Sequence, residues 1–420
     1  MAPDDRAPTD RHKVVVEHLF KVFGGDAEET IRRAQAGEAK DRIYAETHSV
    51  AAVADISFSV DLGEIFVVMG LSGSGKSTLI RCLNRLIEPT RGRILLDGED
   101  VLAMDAGALR RLRAHKLSMV FQHFALFPHK TVAENVEFGL KVRGMGAAER
   151  RDKALRALAQ VGLEAYADVP PDNLSGGMQQ RVGLARGLAV DPDIMLMDEP
   201  FSALDPLIRR DMQDELLALQ SQLHMTILFI THDLHEALRI GDRIAIMKDG
   251  RFVQTGTPEE IVARPADDYV AAFTRDVDRG RVFRMGRLSR PAATVTLGDA
   301  PGEARRRCDD AAQAGIHVVD DDGFPLGIVP RADLDVLEDG GGELRALMRR
   351  NYPAARADQE LIELYGACAR GLPIAVLDAA GRLQGCVDPL RIFALLAGDA
   401  AAGMPACRSE TAACEAAKEP

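Results

Sequence analysis

Residues 70–78, Gly70-Leu71-Ser72-Gly73-Ser74-Gly75-Lys76-Ser77-Thr78, constrain this chain more than any other stretch. They fit G-x-x-x-x-G-K-[ST], a pattern that works only between a buried strand and a helix. Both flanks comply. Glu64-Ile65-Phe66-Val67-Val68-Met69 is a short apolar, β-branched run, and Thr78-Leu79-Ile80-Arg81-Cys82-Leu83 has helical spacing. Gly70, Gly73 and Gly75 let backbone N–H groups turn inward around phosphate oxygens, and the helix adds the positive end of its dipole. Lys76 suits the β- and γ-phosphates as a point charge, and Ser77 offers a hydroxyl to Mg²⁺. An ordinary glycine-rich turn needs neither the lysine nor the serine.

A second apolar run, Ile194-Met195-Leu196-Met197, ends in Asp198 and Glu199. A carboxylate at the C-terminal end of a strand faces the ligand crevice of an open α/β sheet. Asp198 suits Mg²⁺, directly or through water, and Glu199 suits polarising the attacking water. Alone, Asp-Glu reads as a solvated strand end; after a phosphate loop it does not.

Leu174-Ser175-Gly176-Gly177-Met178-Gln179 resembles the signature motif of ATP-binding-cassette ATPases, and the other cassette elements follow in order. Gln122 in Met119-Val120-Phe121-Gln122 resembles the Q-loop glutamine, Ser202-Ala203-Leu204-Asp205 the D-loop, and His232 in Ile230-Thr231-His232-Asp233 the switch histidine. The resemblance covers residues 13–265. It implies that Ser175 and Gly177 present a hydroxyl and backbone N–H groups to the γ-phosphate of ATP held by the other subunit of a homodimer. Ser175 is equally a helix N-cap, and the two roles use the same N–H groups. The implied ATP site comprises Phe23, the loop Gly70–Thr78, Gln122, Ser175, Gly177 and Asp205. Ser77, Gln122 and Asp198 surround Mg²⁺, and Glu199, His232 and Lys76 carry the hydrolysis. Phe23 is the aromatic expected to stack on adenine, with Phe20 as rival and a core position as the bland reading. His232 and His235 stand three apart, as metal ligands do on a helix, but no Cys or further His accompanies them.

A narrower resemblance is to the ATPase subunits of osmoprotectant importers, which take up glycine betaine, proline betaine and similar quaternary amines. It rests on Met69-Gly70-Leu71-Ser72, on Leu83-Asn84-Arg85-Leu86-Ile87-Glu88-Pro89-Thr90-Arg91-Gly92, and on Ser202 to Arg209. Many importer cassettes have Pro where this chain has Leu71, and some members of the narrower family have Ala where it has Pro200. An insertion at 24–49, carrying a short charged helix around Ile31–Gly37, matches a feature of that family.

The cassette pattern fades near residue 270. Residues 275–290 are Arg-rich and read as irregular linker. Beyond them lies an internal repeat of about 60 residues. Gly315 to Val329 parallels Gly371 to Val387, each a strand, an Asp/Gly hairpin and a strand with helical runs on either side. This resembles a diverged tandem pair of CBS modules. Such pairs often bind adenine nucleotides through a Thr or Ser after the last strand and an Asp three residues on. The positions here hold Pro330 with Asp333, and Asp388 with Arg391. The expectation is a degenerate pair that dimerises or senses ions; a plain scaffold is the alternative.

The expected fold class is therefore α/β: an ABC-type P-loop nucleotide-binding domain with a helical subdomain, followed by a CBS-like pair. The expected layout is a disordered N-terminus at 1–12, the ATPase domain at 13–270, a linker at 271–285, the pair at 286–398 and a disordered tail at 399–420.

Composition bounds the rest. The 420 residues are 46% hydrophobic with a formal charge of −12, and no basic patch or stripe marks a nucleic-acid partner. The six cysteines show no C-x-x-C and read as reduced thiols. The N-terminal residues are polar, without a secretion signal, and no run approaches the ~18 apolar residues of a membrane span. A cassette without spans implies separate transmembrane permease subunits, a periplasmic or surface substrate-binding protein acting through them, and a peripheral place on the cytoplasmic face of the inner (plasma) membrane. Phe124-Ala125-Leu126-Phe127 beside Gln122 suits permease docking, or is ordinary core. The rivals are an importer cassette for another solute such as an amino acid, a soluble cassette that remodels nucleic acid or ribosomes, and a regulatory protein that binds ATP without turnover.

Overall fold

The computed structural model describes residues 12–121, 126–202, 204–340 and 343–397, with side chains throughout except at 336–340. Gln122, His123, Phe124, Ala125 and Ala203 therefore lie outside the described residues, as do the expected disordered ends apart from His12, which opens a strand. The chain divides into two compact units, Met1–Ile261 with Pro265–Arg275, and Val262–Arg264 with Asp276–Pro420.

The first unit is built on a six-stranded sheet. Its order is Arg251–Gly256, Arg243–Lys248, Ile65–Met69, Thr226–Thr231, Ile194–Asp198 and Leu117–Val120. All neighbours pair in parallel except the edge strand Arg251–Gly256. A parallel sheet covered on both faces demands continuous apolar strands rather than alternating ones. Ile65–Met69, Ile194–Asp198 and Thr226–Thr231 comply, each buried along its whole length. The register pairs Met69 with Thr231 and Asp198 with Ile230, so the C-terminal ends of these strands open on one edge.

An antiparallel sheet of Val50–Asp61, His12–Phe23, Arg91–Leu96 and Glu99–Asp100 packs against it. One apolar cluster joins the two sheets and includes Phe58 stacked on Phe66 with ring centroids 5.0 Å apart. Burying a side chain of that size stabilises by roughly 1.5–3 kcal/mol. The insertion expected as one charged helix is two, Ala27–Gln35 and Lys40–Thr47. Ile31, Ala34 and Ile43 supply the buried face of this pair, and Arg33 ties the helices together through Glu29, Glu38 and Glu46. Three further helices, Val132–Val142, Ala147–Gln160 and Gly176–Leu188, pack on one another. The first opens with a capping box of Thr131 and Glu134.

The second unit carries the repeat. Thr294–Val295, Gly315–Val319 and Pro325–Pro330 form one sheet; Ala354–Arg356, Ile374–Leu377 and Leu383–Val387 form another. In each, the first pair is parallel and the second antiparallel. The hairpins share their turn chemistry. Asp320 accepts from the N–H groups of Asp322 and Phe324, and Asp378 from those of Ala380 and Arg382. Gly323 and Gly381 follow at φ of 85° and 88°. The repeats also exchange chain. Arg290, ahead of the first sheet, pairs with Cys386 of the second, and Arg349, ahead of the second sheet, pairs with Ile328 of the first.

The stretch expected as linker is structured. Asp268–Thr274 is a helix of the first unit, and Arg279–Val282 and Met285–Leu288 are short helices of the second. Val282, Phe283, Met285 and Leu288 are buried there, an apolar set that the surrounding arginines mask in the sequence.

Candidate active site

The phosphate loop follows the buried strand Ile65–Met69 and opens the helix Lys76–Leu83. Two of its glycines are enforced by the fold. Gly70 has a φ of 156° and a Cβ there would run into the Met247 carbonyl; Gly75 has a φ of 108° and a Cβ would run into the Ala52 carbonyl. Gly75 is also the N-cap, and it leaves the first helical N–H groups without a side-chain cap, as an anion site requires. Lys76 is buried, and its Nζ donates to the carbonyls of Gly70 at 2.8 Å and Leu71 at 3.0 Å. Burial holds its pKa below the ordinary lysine value, and the nearby charges of Glu199 and Asp198 work against that shift.

Ser77 Oγ donates to Asp198 Oδ1 at 2.8 Å. Asp198 is fully buried at the end of its strand, and its other oxygen accepts from Arg81 at 3.2 Å. Arg81 follows Ser77 by four positions on the helix, so it faces the same side. That spacing was available in the sequence, but no role for Arg81 emerges until Asp198 is placed opposite.

Glu199 leaves the sheet in the left-handed region, at a φ of 49°, where a residue of its size is uncommon. Its N–H donates to the Ile230 carbonyl at 3.0 Å, and its Oε2 lies 2.9 Å from His232 Nδ1. With the carboxylate ionised it can only accept, so Nδ1 carries the proton of that bond. Asp233 fixes the next residues by capping the helix Leu234–Ile240 through the N–H groups of His235 and Glu236. Arg209 joins two motifs: it donates to the Leu204 carbonyl at 3.1 Å and to Asp233 at 3.2 Å. Nothing in the local sequence marks that bridge.

Ser175 caps the helix Gly176–Leu188, its Oγ accepting from Met178 N–H at 3.3 Å. Asp205 caps Pro206–Leu223 through Leu207 and Ile208. Ser175, Gly177 and Asp205 line one cavity of about 380 Å³ with Tyr166, Arg181 and Leu204, and no phosphate-loop residue lines it. A Cβ on Gly177 would press on Leu204 at 3.1 Å. Phe23 ends its strand 45% exposed, with Lys21 Nζ 4.9 Å from the ring centroid, whereas Phe20 is sealed in the core. The expected site thus falls into two groups, the phosphate loop with Asp198, Glu199 and His232, and the signature with Asp205. Gln122 lies outside the described residues.

The family described as ABC transporter matches residues 53–202. The glycine betaine transport ATP-binding protein OpuAA of Bacillus subtilis is 46% identical over 92% of this chain and 93% of its own length. The glycine betaine/carnitine transport ATP-binding protein GbuA of Listeria monocytogenes is 47% identical over 92% of this chain and 98% of its own. The glycine betaine/proline betaine transport system ATP-binding protein ProV of Salmonella typhimurium is 54% identical over 69% and 72%. Among solved structures, a dimeric ATP-binding cassette in a post-hydrolysis state bound to ADP and Pi is 32% identical with a TM-score of 0.51, covering 58% of this chain and 98% of that one.

Proposed function

This chain belongs to the ABC transporter family, among the ATP-binding subunits of glycine betaine transport systems, and from that premise we propose that it hydrolyses ATP to drive import of a quaternary amine osmoprotectant, such as glycine betaine or proline betaine, through a separate membrane permease. One observation carries the reading: 46% identity to a glycine betaine relative extends over 92% of the chain, so it spans both units and not the ATPase alone.

The site residues act as follows. Phe23 stacks on adenine, and the loop from Gly70 to Thr78 wraps the phosphates. Lys76 exchanges the Gly70 and Leu71 carbonyls for β- and γ-phosphate oxygens. A hydroxyl and a carboxylate meeting at 2.8 Å are hard oxygen donors that suit Mg²⁺. Ser77 and Asp198, with Gln122, would hold the ion, which supplies charge neutralisation between the phosphoryl groups. Glu199 accepts a proton from water as its oxygen attacks the γ-phosphorus and ADP leaves. His232 keeps Glu199 aimed through the bond at Nδ1. Ser175, Gly177 and Asp205 serve the ATP of a second copy, which is supported by their separate cavity. Binding then closes a homodimer, and hydrolysis reopens it.

No helix among the described residues is long and apolar enough to cross a membrane. We place the protein at the cytoplasmic face of the inner membrane, on permease subunits that receive solute from a binding protein. Phe127, packed at a tilt against Phe138 with centroids 4.6 Å apart and held through its backbone by Asn135, supports a docking surface beside the Q-loop. The second unit reads as a CBS-like pair, supported by the reciprocal bridges Arg290 to Cys386 and Arg349 to Ile328 between its two repeats. Its expected nucleotide positions are engaged in structure, Asp333 with Arg349 at 2.9 Å and Asp388 as a helix cap to Leu390. Dimerisation or ion sensing fits that better than tight nucleotide binding.

The test is uptake of labelled glycine betaine at high osmolarity by cells lacking the gene, complemented with wild type or Glu199→Gln. Restoration by wild type alone supports the reading. Uptake independent of the gene moves the solute to another amine or an amino acid.

A further inference from the structure

The insertion at 24–49 has no task in the hydrolysis proposed above, yet it touches both ends of the nucleotide site. It leaves the strand His12–Phe23 directly after Phe23, the aromatic assigned to adenine. Its second helix, Lys40–Thr47, brings Lys40 to the phosphate loop, where Nζ donates to the Gly73 carbonyl at 3.5 Å. Both flanks of Lys40 are fastened. Arg33 ties the first helix to Glu38 and Glu46, and Arg251 of the edge strand donates to the Ala34 carbonyl. The next loop carbonyl, that of Ser74, accepts from Gly250 N–H at 2.9 Å, in the turn between the strands Arg243–Lys248 and Arg251–Gly256. The insertion thus stands on the phosphate loop as a fixed part of the first unit rather than as a loose appendage.

The packing of the insertion gives no reason for a lysine at position 40. It opens its helix, where the positive end of the dipole disfavours a cation, and Ala39 before it offers no side-chain cap. Glu38, Asp41 and Asp249 line the cavity beside it, yet among the described residues none forms an ion pair with it, and Glu38 is engaged by Arg33 and Arg42. At 3.5 Å its bond to Gly73 is at the long limit of a hydrogen bond. Lys76 also rests on loop carbonyls, those of Gly70 and Leu71 at the other end of the loop. We propose that Lys40 is a second ATP-binding lysine, which exchanges the Gly73 carbonyl for a phosphate oxygen when ATP enters. This rests on the ATPase reading above.

The chemistry favours the exchange. An ammonium on an anionic phosphate oxygen gains an ion pair that a neutral carbonyl cannot give. The flexible four-carbon stem lets the ammonium move while the helix stays in place. The gain is electrostatic, so it follows the charge of residue 40 and is screened by salt. A bond that only braced the loop would act on the melting temperature of the nucleotide-free protein instead.

The experiment is titration calorimetry with a non-hydrolysable ATP analogue, and thermal melting without nucleotide, on the full chain as wild type, Lys40→Met and Lys40→Arg. Lys40→Met keeps the stem and removes the charge. It is expected to weaken binding roughly three- to ten-fold, the weight of one partly exposed charged contact. The deficit should shrink as salt rises from about 50 mM to about 0.5 M, where the Debye length becomes shorter than the reach of the charge. Lys40→Arg should bind within about two-fold of wild type, because it restores the charge. Neither variant should move the melting temperature. Wild-type affinity in Lys40→Met overturns the proposal. So does a deficit that ignores salt, one that Lys40→Arg shares in full, or one that a fall in melting temperature accompanies. Wild type that fails to bind the analogue would defeat the functional reading and this inference together.

Discussion

Glu199 Oε2 and His232 Nδ1 lie 2.9 Å apart, and Glu199 reaches that distance from a left-handed backbone that few residues of its kind adopt. Such a conformation costs on the order of 1–3 kcal/mol and persists where the surroundings over-determine it. Here the bond from Glu199 N–H to Ile230 and the cap at Asp233 do so. The consequence is a carboxylate aimed off the sheet edge, with an imidazole that fixes its direction.

Glu199→Gln keeps the shape and removes the proton acceptor. ATP turnover should fall by about 10²–10⁴-fold, the usual weight of a general base, while ATP binding persists. Turnover and nucleotide binding measured on the same preparation check this. Turnover above a tenth of wild type would assign the proton to another group.

Gly75→Ala should fail at the backbone. The residue is at a φ of 108° with the Ala52 carbonyl where a Cβ would go. The left-handed cost alone is about 1–2 kcal/mol, and the clash adds to it. A lowered melting temperature together with lost ATP affinity is expected. Gly73→Ala at a φ of 79° meets no neighbour within 4 Å, so it should cost less stability.

His317 makes the second unit sensitive to acid. It is fully buried, neither ring nitrogen has a hydrogen-bond partner, and burial lowers its pKa from 6.5 to about 4. The unfolded chain therefore takes up a proton near pH 6.5 that the folded chain refuses until about pH 4. Stability is full above that window and is lost as pH falls through it, by about 3 kcal/mol at most. His317→Ala, which copies Ala375 at the matching place in the second sheet, should flatten the decline in melting temperature between pH 7 and 5. An unchanged slope would assign the acid sensitivity elsewhere.

Phe127→Asp should lose permease assembly more than ATP binding. The ring packs on the partly exposed Phe138, near the exposed Val142, rather than in the sheet core. Co-purification with the permease and nucleotide binding separate the two effects. Equal loss of both would make Phe127 a core residue.

Much of the site was legible because its signals are local. The phosphate loop announces itself by glycine spacing and its two flanks, Asp198 and Glu199 by an apolar strand that ends in carboxylates, and Ser175 by a small-residue stretch before a helix. The hairpin turns at Asp320 and Asp378 were readable for the same reason. The segment 279–288 was not, because its buried Val282, Phe283, Met285 and Leu288 are spread among arginines without a clean period.

The sequence by itself determined which residue types are present, which elements they form and the order in which they occur. Period and turn chemistry act within a few residues of chain. Only the tertiary structure decided that Ser77 meets Asp198 across 121 positions, that Arg209 bridges Leu204 to Asp233, and that Arg290 and Arg349 each bridge to a strand of the other repeat. Those contacts depend on strand order and on how the chain returns to the sheet. The energy that fixes them is shared across the whole buried core and leaves no mark at any one position.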